Sequence, residues 1–422
     1  MLDTSLAGSA TGGHCFSVPL RHLQMDHATI FAAGTGRFNP PPYRDRRLKR
    51  KSDLIPAQAK ESPDLAPESL SDPRARRPFG ISSIGVRGRA VRVTERILRQ
   101  WPFANLIEFS GAAATRHPIL VIAPLAGSFP ILLRDLVVEL LRQGKAVAVA
   151  DWFDVRYVPE AAGRFGLEEQ IGYVAEMIRV LGGRHHVVGV CQAAVPALAA
   201  TALLAANEPA KAPRSLVLIG GPLDPLANPT GVVHGLRSHS LKWFRDNVMN
   251  VVPRGWPGEG RLIYPKAVQQ TVFSGYVARH LAEGRELCRK VLADDGDDPI
   301  HFPFSALSLT MMDLPAEFVL DNIRSIFQER DLVQNNLRFG GNKIDLNAIS
   351  TTALMTIEGA EDDIAAPGQT HVAHALCKSI PHSRRHHLLV DGCGHFSLFH
   401  GRHCRTHVVP EIIKFTRQAE RP

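Results

Sequence analysis

Four short, wholly apolar runs, each closing on a turn, limit the folds open to this chain more than any other feature. Ile119-Leu-Val-Ile-Ala123 ends at Pro124-Leu-Ala-Gly127 and gives way to residues 131–141, whose apolar positions recur at helical spacing. Residues 146–150 end at Asp151-Trp152, ahead of an amphipathic stretch over 167–181. Val187-Val-Gly-Val190 ends at Cys191, ahead of an alanine-rich helical stretch over 193–206, and Leu216-Val-Leu-Ile219 ends at Gly220-Gly221. Short buried strands alternating with helices imply a parallel sheet covered on both faces, so the expected class is α/β, doubly wound.

The alternation stops between residues 222 and 349. Aromatics, prolines and helical patterns at 240–252, 267–293 and 314–327 take over, which predicts an inserted, mainly helical cap. The sheet pattern resumes at 353–357, followed by a helix near 369–379, a strand at 387–390 and a closing helix around 409–418. The core therefore reads as two pieces, 79–221 and 350–422. At its start, residues 86–93 read as one β-type run followed by a polar segment. Residues 1–78 mix Gly, Ser, Pro and charge without periodicity and read as a poorly ordered extension, with Met25 as a possible later start. Its basic runs at 44–51 and at Arg74, Arg76 and Arg77 carry much of the net charge of +8, and they read as a solvated tail rather than a nucleic-acid patch.

Composition excludes several classes. At 45% hydrophobic and 21% charged residues the chain is an ordinary globular one. No apolar stretch approaches the roughly 20 residues needed to cross a bilayer, so no transmembrane segment is expected. The order of basic segment, apolar core and cleavage site that marks a secretory signal is missing, which makes a cytoplasmic protein the expectation. Six cysteines without CxxC pairing suit reduced thiols. No phosphate-cradling glycine motif occurs, and no cofactor is implied. His371 with His374, and His400 with His403 and Cys404, lack the partner spacing of a zinc site, so no metal is expected. His185-His186 is expected in an exposed loop before its strand.

The chemistry concentrates at strand ends. Gly189-Val-Cys-Gln-Ala193 sits where a strand hands over to a helix, the place where a strained turn projects a nucleophile above the sheet of an α/β-hydrolase. The usual pattern is G-x-S-x-G; here cysteine replaces serine and Ala193 replaces the second glycine. A free cysteine is as readily a small buried hydrophobe, so Cys191 needs partners. They follow in the chain order nucleophile, acid, histidine: Asp362 and Asp363 lie just beyond one strand, and His395 just beyond the next. The backbone N–H groups of Gln192 and of Leu125 or Ala126 are the expected oxyanion donors. Asp151-Trp152 lies at another strand end facing the same cleft, as pocket lining or as structure.

With these residues in hand, the chain from about residue 79 to 417 resembles the intracellular poly(3-hydroxybutyrate) depolymerases, cysteine-triad enzymes of the α/β-hydrolase fold. The most specific stretches are "LMTIEGAEDDIAAPGQTHVAHALCKSIP" and "GCGHFSLFHGRHCRTHVVPEIIKF", supported by "ADWFDVRYVP", "GGPLDPLANPT" and "MMDLPAEFVLDNI". The resemblance implies Cys191 as nucleophile, His395 as base and Asp362, the first of the acidic pair, as the orienting carboxylate. It also implies hydrolysis of storage polyester at a granule surface; because a thioester can pass its acyl group to a thiol, coenzyme A is an alternative acyl acceptor. The chain departs from the family's A-P-x-S-G-H loop at Ala126 and Ser128, and it has Phe396 where a tyrosine is usual. Two alternatives accompany this reading. One is a polyhydroxyalkanoate synthase, whose nucleophile turn usually has two glycines where this chain has Gln192-Ala-Ala194. The other is a non-catalytic granule-binding protein with the same fold.

Overall fold

The computed structural model describes residues 79–420 apart from 112–116, 127–128, 184, 294–306 and 308–310. The expectations for the amino-terminal extension and for Ser128 lie outside the described residues.

In chain order the strands are β1 (Ser83–Val86), β2 (Arg89–Trp101), β3 (Ala104–Gly111), β4 (Ile119–Ile122), β5 (Val147–Trp152), β6 (His186–Val190), β7 (Ser215–Ile219), β8 (Asn250–Val251), β9 (Leu262–Tyr264), β10 (Leu314–Pro315), β11 (Arg338–Phe339), β12 (Asn342–Lys343), β13 (Ala353–Gly359) and β14 (Arg385–Val390). Nine of them form one sheet in the order β1-β2-β3-β5-β4-β6-β7-β13-β14. The first three strands run antiparallel and pair through β3 with β5, and the remaining pairings are parallel. Every residue of β4, β5, β6, β7 and β13 is buried, as strands packed under helices on both faces must be. Because β4 lies between β5 and β6, the chain winds one way to β5 and the other way from β6 on. A crevice opens at such a reversal, at the carboxyl ends of the strands.

Several expectations are corrected. The run at 86–93 is a hairpin: Arg87 (φ 49°) and Gly88 (φ 75°) both take left-handed backbone, as a two-residue turn requires. The polar segment after it is the rest of β2, paired with β3. Its charged, largely exposed side chains conceal a strand that is held by backbone pairing rather than burial. His185 and His186 are fully buried, not in an exposed loop. His186 opens β6, with Nδ1 2.8 Å from Ser215 Oγ and Nε2 3.1 Å from Glu420, and burial lowers its pKa to about 4, so it enters the core neutral.

The helix expected near 369–379 shrinks to Ala373–Leu376. The buried Glu358 carboxylate accepts the backbone N–H groups of Gly368, Thr370 and His371, which holds the preceding residues in turns. The pattern at 267–293 is two helices, Lys266–Ala282 and Glu286–Ala293, broken where Gly284 adopts φ 66°.

Between β7 and β13 the chain leaves the large sheet. It forms these two helices, three shorter ones (Gly231–Arg237, Leu241–Asn247 and Ala316–Asn322), a small β10-β9-β8 sheet and the β11-β12 hairpin.

Candidate active site

Cys191 follows β6 directly and precedes the helix Ala194–Asn207. Its φ of 53° is left-handed, a conformation that non-glycine residues adopt at a cost of about 1–3 kcal/mol and chiefly at functional turns. Close packing enforces the turn. A Cβ on Gly189 would lie 2.8 Å from Ala197 Cβ, and one on Gly221 would lie 2.2 Å from Ala194 Cβ. Small residues at 189 and 221 are thus a steric demand, and Ala193 beside them is fully buried.

The three residues expected to act together do meet. His395 Nε2 lies 3.3 Å from Cys191 Sγ, and Nδ1 lies 2.7 Å from Asp362 Oδ2. The other oxygen, Asp362 Oδ1, accepts the N–H groups of Ile364 (2.9 Å) and Ala365 (2.8 Å), which fixes the carboxylate in place. Gly220, at φ 55°, lets the chain pass close by: a Cβ there would lie 3.3 Å from His395 Cε1 and 3.5 Å from Asp362 Oδ2. Asp362 and His395 are only 4% and 2% exposed. Burial opposes the charged imidazole, but the Asp362 carboxylate and then the Cys191 sulfur favour it. The balance holds the pKa of His395 well above its ordinary value.

The neighbouring aspartate has a different set of partners. Asp363 accepts from the Tyr276 hydroxyl, Arg279 Nη2 (3.0 Å) and Arg285 Nη1 (3.0 Å), and lies 3.1 Å from His280 Nε2. Burial would raise its pKa, but hydrogen bonds from His280 and Tyr276 and the nearby positive charges bring it down to about 2. It joins the β13 loop to the helix Lys266–Ala282. None of these partners was found from sequence, because isolated Tyr, Arg and His residues on a helix carry no spacing signal.

The other cysteines are set apart. None of the five described ones forms a disulfide, and burial pushes the Cys377 thiol up to about 12 and raises those of Cys393 and Cys404 as well. Of the expected oxyanion donors, Gln192 is half-buried beside Cys191, Leu125 is buried, and Ala126 is exposed at the end of the loop after β4. That loop is tied to β5 because Trp152 Nε1 donates to Ala123 O at 2.8 Å. Asp151 is fully buried opposite Asn105 in the sheet. His371 and His374 group with His387, and the latter two meet Thr356 Oγ1 at 2.9 Å. His400 stands beside Lys290.

The strand order and the strained turn after β6 define a protein of the α/β-hydrolase fold. Residues 220–420 match the family model described as PHB de-polymerase C-terminus. No curated protein sequence matches the chain. Among solved structures it is similar to bromoperoxidase from Bacillus anthracis, at 13% identity and a TM-score of 0.44, covering 77% of this chain and 99% of that one. A carboxylesterase of Nitrososphaera gargenis aligns at 12% identity and a TM-score of 0.43, covering 80% and 99%. The thioesterase domain from the curacin biosynthetic pathway aligns at 14% identity and a TM-score of 0.41, covering 76% and 99%.

Proposed function

We propose that this protein is a depolymerase of poly(3-hydroxybutyrate)-type storage polyester that works through Cys191, His395 and Asp362. The observation that carries the reading is the continuous chain from Asp362 through His395 to Cys191, with the cysteine held on left-handed backbone, in a chain whose carboxy-terminal half matches the depolymerase family. His395 Nε2 takes the thiol proton, and Sγ adds to the ester carbonyl. The backbone N–H groups of Gln192 and of Leu125 or Ala126 face the oxyanion that forms. Collapse of that adduct breaks the C–O bond, and the leaving alcohol takes the proton from His395. Water, deprotonated in turn by His395, then cleaves the thioester and releases a 3-hydroxyacid or short oligomer; the thiol of coenzyme A is the alternative acceptor. Asp362 orients the ring and supports its charged form. Residues 222–349 act as the cap that meets the polymer at the granule surface in the cytoplasm.

Purified protein incubated with amorphous polyester granules, with and without coenzyme A, tests the proposal. Soluble 3-hydroxyacids or acyl-thioesters are expected. Granule binding without release, or chain growth from 3-hydroxyacyl-coenzyme A, would overturn it.

A further inference from the structure

The insertion sends a carboxylate into the loop that carries His395. Glu286 opens the helix Glu286–Ala293 and is 5% exposed. Its Oε1 accepts the backbone N–H of Ser397 at 2.5 Å. Its Oε2 is buried and has no hydrogen-bond partner among the described residues. That oxygen packs so tightly on Gly394 that a Cβ there would stand 2.2 Å from it. One side chain therefore touches the residue before His395 and the residue two after it.

A carboxylate in such a place is costly unless positive charge compensates it. Burial raises the pKa of Glu286, and Lys290 on the same helix and the N–H of Ser397 oppose that rise, as does His395 itself. Tyr276 and Cys393 also face its charge. Anchoring Ser397 requires only an acceptor, which a neutral side chain would supply. The negative charge adds something a hydrogen bond does not: an attraction that favours the imidazolium of His395 from outside the Asp362–His395 pair.

We propose that Glu286 is a positioning residue for the reaction: from the insertion it clamps residues 394–397 and presents a second negative charge to His395, so the reactive pair forms fully only when the insertion is docked. This rests on the reading of Cys191, His395 and Asp362 as the reacting triad. The test follows alkylation of Cys191 by iodoacetamide across pH in the full chain, read on the Cys191 peptide by mass spectrometry. Wild type is compared with Glu286→Gln, Gly394→Ala and His395→Ala.

Glu286→Gln keeps the acceptor and removes the charge, and Gly394→Ala displaces the carboxylate without removing it. For both, the midpoint of the alkylation profile is expected to move acid-ward by about one pH unit with a lower plateau, the size of effect a lost neighbouring charge produces. The same variants should lose kcat on a soluble 3-hydroxyacyl ester with KM little changed. Cys377, Cys393 and Cys404 stay unlabelled while the fold is intact, so a variant that unfolds is recognised and the other one carries the test. Wild-type profiles in a folded Glu286→Gln or Gly394→Ala would overturn the role of Glu286. A wild-type profile in His395→Ala would instead overturn the triad.

Discussion

Cys191 stores strain that a glycine would not, so its backbone separates stability from activity. Replacing it with glycine should raise the unfolding free energy by about 1 kcal/mol, because φ 53° no longer costs a Cβ contact, while ester cleavage is abolished. Denaturant melts and an ester assay on Cys191→Gly check both halves. The adjacent aspartates should separate just as cleanly. Asp362→Asn leaves His395 without its orienting charge and should lower kcat by roughly 10³- to 10⁴-fold. Asp363→Asn should keep most of the activity but alter acid stability. The carboxylate of Asp363 titrates at about 2 against an ordinary 3.8, so its stabilisation is fully present above the ordinary value and is lost as pH falls toward 2. Acid unfolding of Asp363→Asn should lack that component. His395 has the opposite sign: its raised pKa stabilises the fold below the ordinary histidine value of 6.5, and that contribution fades as pH rises through the folded value.

At the scale of elements, the turn after β6 depends on how closely β6, the loop after β7 and the helix Ala194–Asn207 approach one another. Gly221→Ala drives a methyl against Ala194 and should destabilise the fold by about 1–3 kcal/mol, measured as a lowered denaturation midpoint. The same packing explains what was legible in the sequence. Strands buried on both faces announce themselves as apolar runs, so β4, β5, β6, β7 and β13 could be placed from residues alone; the ends of β6 and β13 located Cys191 and Asp362, and the end of the partly exposed β14 located His395. β2 beyond residue 93 was missed because its side chains there are largely exposed and charged, leaving only backbone pairing to define it. The segment after β13 was misread because a buried glutamate, Glu358, replaces helical hydrogen bonds there. The lock at Asp363 and the clamp by Glu286 join residues 78 to 111 positions apart, and no local pattern records such contacts.

Across the described residues, the site draws on both portions of the large sheet and on the segment between β7 and β13. Cys191 comes from the first portion of the sheet and Asp362 and His395 from the portion that resumes after the insertion, while Glu286 from the insertion packs against Gly394 and Ser397. Phe273 and Tyr276 on the helix Lys266–Ala282 place their rings 6.0 and 6.1 Å from Phe396, the residue after the histidine. Asp363 fastens that helix to the β13 loop from the other side. Among the described residues no helix is long and apolar enough to cross a membrane. The reaction proposed for this arrangement passes through an acyl group on sulfur, and that bond can be caught. Rapid acid quenching of the protein during turnover of a 3-hydroxybutyrate ester, followed by peptide mass spectrometry, should find one 3-hydroxyacyl group on the Cys191 peptide, absent in Cys191→Ala. Turnover at the wild-type rate in Cys191→Ala, or an acyl group carried by another residue, would contradict the account.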